Sequence, residues 1–415
     1  MSALTWMRKL NEHLLTQQKS DLTSLVEQLL VLPITGKLQK TRPFNDEPKF
    51  IQYFCLNEGR SEEDTGSGIF FNDEIAKLKA LAETVERSAL GEVPLELPYT
   101  TYLRLGCSAV NPFLWHNYSQ VNDLSTIQNT PHLPTHWTKA KNLLTNQEVL
   151  VPTQLVYVPY TFRKEELMLC DPVSTGAAFG TSWEDAVKRG ILECVERDAF
   201  MIRYFKKDKV PRVTHPVIEE LSSYFARYQL ELNIFDLTND LDIPVMLGIV
   251  IDKTGIGPAV SAGLKVDENP LNAALGAMLE AQHVRSWIRF SYHAQGKPQI
   301  HNPSQIIDLK TRGFYWYDLS MIKHLDFLLE NSEIKEISGE SSKVSFNFLL
   351  QLLKDKEYHV FGVDISPEIP IGTVAKVLIP ELQPLRLVES PDIYTSKRLY
   401  ERGISNLNSI PHPFT

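Results

Sequence analysis

The spacing of hydrophobic positions along the chain predicts three long helices. Apolar residues recur every three or four positions over residues 73–90, the period that places them on one helix face. Further helices are predicted over Ser182–Tyr204 and Asn269–Ser291, because each begins with a residue type that caps helix N-termini. A proline at the first helical position strengthens the third of these predictions. Helices are therefore expected in both halves of the chain.

Short apolar or alternating segments predict β-strands between these helices. The segments are residues 50–55, 151–160, 230–237, 244–252, 360–364 and 374–379. The aromatic run Phe314–Tyr317 also fits the alternation of a strand. Helices that alternate with strands predict a mixed α/β (α+β) fold, although the order of the strands in the sheet stays open.

Composition narrows the class of protein. Of 415 residues, 43% are hydrophobic and 22% charged, which is typical of folded globular proteins and excludes a disordered, collagen-like or coiled-coil chain. No apolar stretch approaches the roughly 18 residues that a membrane-spanning helix requires. The four cysteines form no C-x-x-C motif and the N-terminus does not resemble a secretory signal, so we expect a cytoplasmic protein. A net charge of −9 argues against general binding of nucleic acid.

Two of the predicted helices contain the same sequence signature. Residues 83–89 read ETVERSA and residues 193–199 read ECVERDA, so five of seven positions coincide at a separation of 110 residues. Residues three apart share one face of a helix, so each copy presents two carboxylates side by side. The two pairs are Glu83 with Glu86, and Glu193 with Glu196.

A further carboxylate, Asp185, lies eleven residues before Glu196 and so projects from a similar helix face. If the two helices pack with these faces together, four or five carboxylates converge, and their mutual repulsion requires a cation. Mg²⁺ meets this requirement and typically joins carboxylates to substrate phosphates. We therefore expect a Mg²⁺–nucleotide site built from helices, with Arg87, Arg197 and Arg285 able to pair with phosphates or carboxylates. A solvated helix face with local ion pairs is the alternative interpretation.

The common nucleotide-binding and hydrolase motifs are absent from the sequence. There is no G-x-x-x-x-G-K-[ST] P-loop, no G-x-G-x-x-G (Rossmann) motif after a strand, no H-E-x-x-H zinc motif and no G-x-S-x-G nucleophile elbow. If the chain binds ATP, it therefore does so without a P-loop that cradles the phosphates.

Several segments, taken in order, resemble the YcaO family from about Thr41 to Thr415. They are residues 42–43, 79–87, 151–157, 174–199, 243–245, 273–285 and 377–385. Each segment alone is a weak signal, whereas their order and spacing are specific. We therefore expect residues 41–415 to form a YcaO domain with a proline-containing C-terminal tail, preceded by a helical arm and linker over residues 1–40.

The resemblance implies an ATP- and Mg²⁺-dependent enzyme that activates a peptide backbone amide. In family members that form azolines, a Cys, Ser or Thr side chain attacks the preceding carbonyl carbon, and ATP phosphorylates the resulting hemiorthoamide oxygen. Loss of phosphate then gives a thiazoline or an oxazoline. The expected enzyme is thus a cyclodehydratase that acts on a ribosomally synthesised precursor peptide. A thioamide- or amidine-forming enzyme and a catalytically idle accessory or scaffold subunit are the alternatives.

The resemblance also implies roles for individual charged residues. Glu83 and Glu86 match the family's first carboxylate pair and Glu193 and Glu196 its second, and all four would hold Mg²⁺ that bridges the ATP phosphates. Asp185 falls where family members commonly have Glu, and its shorter side chain is expected to keep the role. The residues expected at the nucleotide are Arg87, Arg197, Glu280 and Arg285.

The C-terminal residues resemble the Pro-x-Pro-x-Pro tail with which azoline-forming members often end and which reaches their active site. Pro411 and Pro413 match this pattern, whereas Thr415 replaces the last proline. These three residues are therefore expected to belong to the catalytic set of the azoline-forming subgroup. A disordered chain end is the alternative interpretation.

Partner proteins follow from the same resemblance. Some family cyclodehydratases carry a large N-terminal peptide-binding domain, whereas only residues 1–40 precede the matching region here. We therefore expect a separate partner that binds the leader of the precursor peptide, and a flavin-dependent dehydrogenase if the rings are oxidised to azoles. A homodimer stays open, and neither nucleic acid nor a membrane is expected as a partner.

Overall fold

The computed structural model describes residues 21–56, 65–120, 130–330, 332–341, 344–387, 389 and 393–415, and these residues form two compact units. The first unit takes its described residues from the ranges Met1–Thr84, Arg203–Lys343 and Asn408–Thr415. The second unit takes its described residues from the ranges Val85–Ile202 and Val344–Leu407.

The strands, numbered in chain order, are β1 Lys37–Thr41, β2 Ile51–Leu56, β3 Gly66–Phe70, β4 Tyr99–Thr101, β5 Pro134–Asn142, β6 Glu148–Pro152, β7 Ala177–Gly180, β8 Arg212–Thr214, β9 Leu230–Asp236, β10 Val245–Asp252, β11 Val260–Val266, β12 Ile334–Glu336, β13 Phe361–Asp364 and β14 Thr373–Leu378. The helices are α1 Asp73–Gly91, α2 Tyr102–Leu105, α3 Trp183–Lys206, α4 Pro216–Ala226, α5 Pro270–Ala294, α6 Leu309–Tyr315, α7 Asp326–Leu329, α8 Phe346–Asp355 and α9 Lys397–Glu401.

The first unit contains two sheets. Strands β1, β2 and β3 form an antiparallel sheet, and a second sheet has the strand order β11-β10-β9-β8-β12. Helix α5 lies directly on β10 and β11, because a Cβ atom on Gly248 or Gly263 would come within 2.7 or 2.3 Å of the α5 backbone. Buried side chains of α4, α5, β9 and β10 form the core of this unit, and Asn269 caps α5 by accepting hydrogen bonds from Leu271 N and Asn272 N.

The second unit is built on one sheet. Its strand order is β4-β5-β13-β14-β7, with β6 paired to β5, and the pairs are antiparallel. Strand β7 leads directly into α3, and the two lie close together, because a Cβ atom on Gly180 would be 2.3 Å from Ala186 N. Ser182 caps the helix by accepting a hydrogen bond from Asp185 N at 3.2 Å, as the sequence predicts.

The α+β class and most of the predicted elements are confirmed. The three predicted long helices are α1, α3 and α5, and five predicted strands are β2, β9, β10, β13 and β14. Strand β11 was not predicted. Its sequence VSAGLKV contains a glycine and a lysine that weaken the strand signal.

Two predicted strands are wrong. The segment 151–160 leaves the sheet at Pro152, where β6 ends and a 3-10 turn begins, because proline has no N–H to continue the ladder. The aromatic run Phe314–Tyr317 begins at the end of helix α6 instead of in a strand. Here a capping box between Asp308 and Thr311 starts the helix, and this local signal outweighs the strand preference of aromatic residues.

The predicted N-terminal arm is described only in part. Residues 1–20 lie outside the described residues, residues 21–30 are helical, and Lys37–Thr41 forms β1 of the first unit. In the described part of the chain, none of the helices combines the length and the apolar character needed to cross a bilayer.

Candidate active site

The first glutamate pair lies on α1, and both of its carboxylates are bound by backbone amides. Glu83 Oε2 accepts hydrogen bonds from Ser67 N at 2.6 Å and from the Ser67 hydroxyl at 3.0 Å. Ser67 can come this close because the preceding residue, Gly66, has no side chain. A Cβ atom there would lie only 2.3 Å from the α1 backbone. Glu86 Oε1 accepts a hydrogen bond from Phe179 N, in β7, at 2.7 Å.

The second pair lies on α3 and shares one guanidinium group. Glu193 Oε2 accepts a hydrogen bond from Gly176 N at 2.9 Å, and its Oε1 lies 3.2 Å from Arg197 Nη2. The other guanidinium nitrogen, Nη1, is 3.7 Å from Glu196 Oε1. Arg197 therefore offsets part of the negative charge of this pair. Arg87 is the matching residue of the first copy and is half-buried.

The segment Gly176–Phe179 binds one glutamate from each copy of the motif. Its first amide binds Glu193 of the second copy and its last amide binds Glu86 of the first. Gly176 has a φ of +87°, and a Cβ atom there would lie 2.2 Å from Val377 O, so a larger residue does not fit. One glutamate of each copy is thus bound by this segment, and the predicted convergence of the two carboxylate faces stays a prediction.

Asp185 lies in the first turn of α3, where it helps to close the start of the helix. Its Oδ2 accepts a hydrogen bond from Thr181 N at 3.2 Å, and its Oδ1 pairs with Arg189 Nε at 3.0 Å. Because the side chain remains 31% exposed, it is accessible to a ligand.

Glu280 and Arg285 lie on α5 in the first unit and have different surroundings. Glu280 Oε2 accepts a hydrogen bond from Leu264 N, in β11, at 2.6 Å. Arg285 is only 2% exposed, and its Nη2 lies 2.8 Å from Asp252 Oδ2. Its Nε is also 3.5 Å from Glu47 Oε1, which is fully buried.

This buried pairing gives Arg285 a structural task. Burial by itself would raise the pKa of Asp252, but a hydrogen bond from Thr254 and the charge of Arg285 lower it overall. If the Arg285 guanidinium turned away from Asp252 and Glu47, the two buried carboxylates would lose the charge that balances them, which is energetically costly. The placement of Arg285 at a nucleotide therefore stays a prediction from the family resemblance.

The C-terminal tail is folded into the first unit. Pro411 O accepts hydrogen bonds from Tyr204 OH at 3.1 Å and from Trp316 Nε1 at 3.0 Å. Phe414 forms a parallel bridge to Ala262 of β11. Residues 411–414 are buried, which excludes the interpretation of these residues as a disordered end.

Sequence reasoning missed two lysines near the glutamates. Partial desolvation of its ammonium group and the charge of Lys265 lower the pKa of Lys79, one helical turn before Glu83. Burial lowers the pKa of Lys376, in β14, to about 8. The spacing to Glu83 could have indicated Lys79, whereas Lys376 stands in an apolar strand with no local signal.

The donor atoms fit Mg²⁺ bound together with phosphates. In the described ranges of the chain, no group of three or more His, Cys, Asp or Glu side chains is arranged to hold a metal ion. Mg²⁺ usually binds through one or two carboxylates and completes its shell with water and phosphate oxygens. Paired carboxylates with hard oxygen donors, as at Glu193 and Glu196, match this mode of binding better than a metal centre made of protein ligands alone.

A family model described as "YcaO cyclodehydratase, ATP- and Mg2+-binding" matches residues 67–383. The chain belongs to the YcaO family. This confirms the resemblance drawn from the sequence, and with it ATP and Mg²⁺ as the cofactors of the family. The matched residues include both glutamate motifs, Asp185, Glu280 and Lys376.

Two curated relatives of this YcaO protein share less than 30% of their aligned residues with it. An uncharacterized protein of Methanothermobacter thermautotrophicus is 23% identical over 257 residues, which cover 60% of this chain and 65% of the relative. An uncharacterized protein in the tfuA 3′ region of Rhizobium leguminosarum bv. trifolii is 28% identical over 166 residues, 37% of this chain and 39% of the relative. The chain therefore spans less than two thirds of the length of either relative.

Solved structures share the fold at low sequence identity. A heterocyclase in complex with substrate and cofactor is 20% identical, with a TM-score of 0.72 over 91% of this chain and 54% of that one. The YcaO of Methanopyrus kandleri bound with AMPPCP and Mg²⁺ is 16% identical, with a TM-score of 0.64 over 95% and 94% of the two chains. A chain of the E. coli microcin synthetase McbBCD complex with pro-MccB17 bound is 16% identical, with a TM-score of 0.64 over 83% of this chain and 88% of that one. These likenesses confirm the YcaO-type α+β fold.

Proposed function

We propose that this YcaO protein is an ATP- and Mg²⁺-dependent cyclodehydratase. It would convert Cys, Ser or Thr residues of a ribosomally synthesised precursor peptide to thiazolines or oxazolines. The observation that carries the proposal is that one glutamate from each motif is bound by an amide of the segment Gly176–Phe179, in a chain of this family. One or two carboxylates are enough to bind Mg²⁺ when phosphate oxygens of a nucleotide complete its shell.

The proposed ligand set follows the family motif. The residues that would hold Mg²⁺ are Glu83, Glu86, Asp185, Glu193 and Glu196. Arg87 and Arg197 would pair with phosphate oxygens, and Glu280 would lie at the nucleotide. Bound ATP would supply the phosphoryl group that turns a poor leaving group, the amide oxygen, into a good one, and Mg²⁺ would balance the charge of the phosphates.

The chain's own residues would mainly position groups and balance charge. Phosphoryl transfer depends on in-line placement and on charge stabilisation more than on covalent chemistry by the protein. The amides of Gly176 and Phe179 hold Glu193 and Glu86 in place before any ligand binds, and Arg197 offsets part of the charge of Glu193 and Glu196. Side chains that are already ordered lose less conformational entropy on binding.

The buried tail supports the azoline-forming subgroup. Phe414 pairs with β11 two residues before Leu264, whose N–H binds Glu280. We place Pro411, Pro413 and Thr415 in the catalytic set on this basis, because an ordered tail can contribute to a site whereas a disordered one cannot.

Peptide substrate and partners are proposed from the names of the similar structures. One is a heterocyclase in complex with substrate, and another is a synthetase complex with pro-MccB17 bound. We propose a precursor peptide as the substrate and a separate protein that binds its leader. A flavin-dependent dehydrogenase would act afterwards wherever the rings are oxidised.

Mass spectrometry of the peptide product tests this proposal. The full chain is incubated with precursor peptide, leader-binding partner, ATP and Mg²⁺, and each ring should remove the mass of one water. A gain equal to the difference between sulfur and oxygen, when sulfide is supplied, would identify the thioamide-forming alternative. Absence of any ATP-dependent mass change with the cognate partner would support the idle accessory subunit.

A further inference from the structure

Lys376 is a buried positive charge in the second unit. It lies in β14, is 1% exposed, and stands directly opposite Ala177 of β7. Its ammonium nitrogen lies 2.5 Å from Val173 O and 2.8 Å from Thr175 O. Among the residues that the structure describes, no carboxylate forms an ion pair with it.

Such a group is costly to bury. An ammonium ion removed from water without a carboxylate in direct contact loses hydration that two carbonyl oxygens replace only in part, although the charge of Glu193 acts on it from a distance. The neighbouring residues of β14 are valine, alanine and leucine, so an apolar residue would suit this strand position better for stability alone. The function of this buried charge is therefore sought in the two carbonyl groups that Lys376 binds, those of Val173 and Thr175.

The two carbonyl groups belong to residues just before Gly176, whose amide is the first of the two that bind glutamates. Gly176 follows Thr175 directly, donates its N–H to Glu193 and accepts a hydrogen bond from Val377 N at 2.8 Å. From the other side, a Cβ atom on Gly190 of α3 would come within 2.5 Å of Gly176 O. The segment is thus fixed between β14 and α3, with Lys376 as its side-chain anchor.

We infer that Lys376 is a positioning residue for Glu193: by holding residues 173–175 to β14, it sets the Gly176 amide that orients the carboxylate. This inference rests on the proposed function, because the role of Glu193 in Mg²⁺ binding is itself proposed. Groups that orient a metal ligand without touching the metal commonly change metal affinity by 10- to 100-fold when they are replaced.

The first test uses the ligand-free protein. Replacing Lys376 with methionine keeps the length of the side chain but removes its N–H donors. We expect hydrogen exchange of the Gly176 amide to become at least about tenfold faster in Lys376→Met, because the segment opens locally. Lys139→Met, an exposed lysine of β5 in the same sheet, is the matched control and should leave this exchange rate unchanged.

The second test measures Mg²⁺ binding by titration calorimetry in the presence of AMPPCP. We expect Lys376→Met to weaken Mg²⁺ binding by about 10- to 100-fold, and Lys376→Arg, which keeps the charge and the donors, to recover part of it. The double variant Lys376→Met/Glu193→Gln should bind Mg²⁺ no more weakly than Glu193→Gln alone, because both changes act through one carboxylate.

The two tests separate failure of the inference from failure of the proposed function. Unchanged Mg²⁺ binding in Glu193→Gln would contradict the proposed metal site, whereas hydrogen exchange would still report whether Lys376 holds the segment. If Glu193→Gln binds Mg²⁺ more weakly than the wild type but Lys376→Met does not, the inference is overturned. Failure of Lys376→Met to fold, or additive losses in the double variant, would also overturn it, because Lys376 would then serve the fold as a whole.

Discussion

Glu86 and Glu193 are held by backbone amides that lie three residues apart, at Phe179 and Gly176. The two glutamates belong to different copies of one motif and are far apart in the sequence. A single short segment therefore fixes one carboxylate from each copy. Changes in this segment or in either glutamate should act on the same property, the binding of Mg²⁺ and nucleotide.

Replacing Glu193 with glutamine should remove most of the peptide-dependent ATP turnover. The change keeps the size of the side chain but removes a negative oxygen that is proposed to bind Mg²⁺, so we expect a loss of about 10²-fold. Release of phosphate by the full chain with peptide and partner measures this. Glu184→Gln, at an exposed position of the same helix, should retain the wild-type rate. Equal rates for both variants would remove Glu193 from the site.

Replacing Gly176 with alanine should lower the free energy of unfolding more than the same change at Gly255. Both glycines have a positive φ, which costs an alanine about 1 kcal/mol. At Gly176 the new methyl group would also meet Val377 O, whereas nothing lies within 4 Å at Gly255. Overpacking of this kind costs about 1–3 kcal/mol more. Urea unfolding of the two variants measures the difference, and equal losses would contradict the close approach.

Removing Pro411–Thr415 should abolish ring formation while the chain stays folded. The tail contributes hydrogen bonds to Tyr204 and Trp316, each worth about 1 kcal/mol, and buries Phe414, worth about 1.5–3 kcal/mol, so the free energy of unfolding should fall by several kcal/mol without unfolding the chain. Circular dichroism would verify the fold, and mass spectrometry of the peptide would measure the rings. Tyr204→Phe is the matched control, because it removes one tail contact and keeps the tail. Normal cyclisation by the truncated chain would exclude the tail from the catalytic set.

Asp73 should make the protein less stable in acid. Burial alone would raise the pKa of Asp73, but hydrogen bonds from Lys40, Lys77 and Tyr53 outweigh it and hold the pKa at about 2. A carboxyl group with a depressed pKa stabilises the fold above its unfolded value near 3.8, and this stabilisation is lost as the pH falls towards about 2.

The variant Asp73→Asn should therefore lose stability at neutral pH and show a smaller further loss in acid than the wild type. Urea unfolding across this pH range measures the two slopes. Asp242→Asn, at an exposed position of the same unit, should follow the wild-type curve. An acid dependence that is identical in Asp73→Asn and the wild type would contradict the assigned pKa.

The repeated motif was the most informative part of the sequence. Residues three apart on a helix must share a face, so the pairing of Glu193 with Glu196 was predictable from spacing alone. Spacing along a helix does not predict that Glu86 and Glu193 are bound by the same segment. Their partners are the amides of Phe179 and Gly176, in a segment that the sequence identified only by family resemblance.

Long-range pairing accounts for what the sequence could not predict. The ion pairs of Arg285 with Asp252 and Glu47 join residues on different elements, and no local pattern marks them. Lys376 likewise stands in an apolar strand, and its partners, the carbonyl groups of Val173 and Thr175, lie about 200 residues earlier in the sequence. The order of the strands also depends on distant pairing, because β14 pairs with β7, almost 200 residues earlier in the chain, at Ala375 and Ala178.

Isotope tracing shows whether ATP activates the oxygen of a peptide amide, as the proposed function requires. A precursor peptide with ¹⁸O in the backbone carbonyl before a modifiable Cys, Ser or Thr is incubated with the full chain, the leader-binding partner, ATP and Mg²⁺. We expect the released phosphate to carry the ¹⁸O, and the mass of the peptide to fall for each ring by the equivalent of one ¹⁸O-labelled water, although no labelled water is released. Unlabelled phosphate, released while the peptide keeps its ¹⁸O, would contradict it.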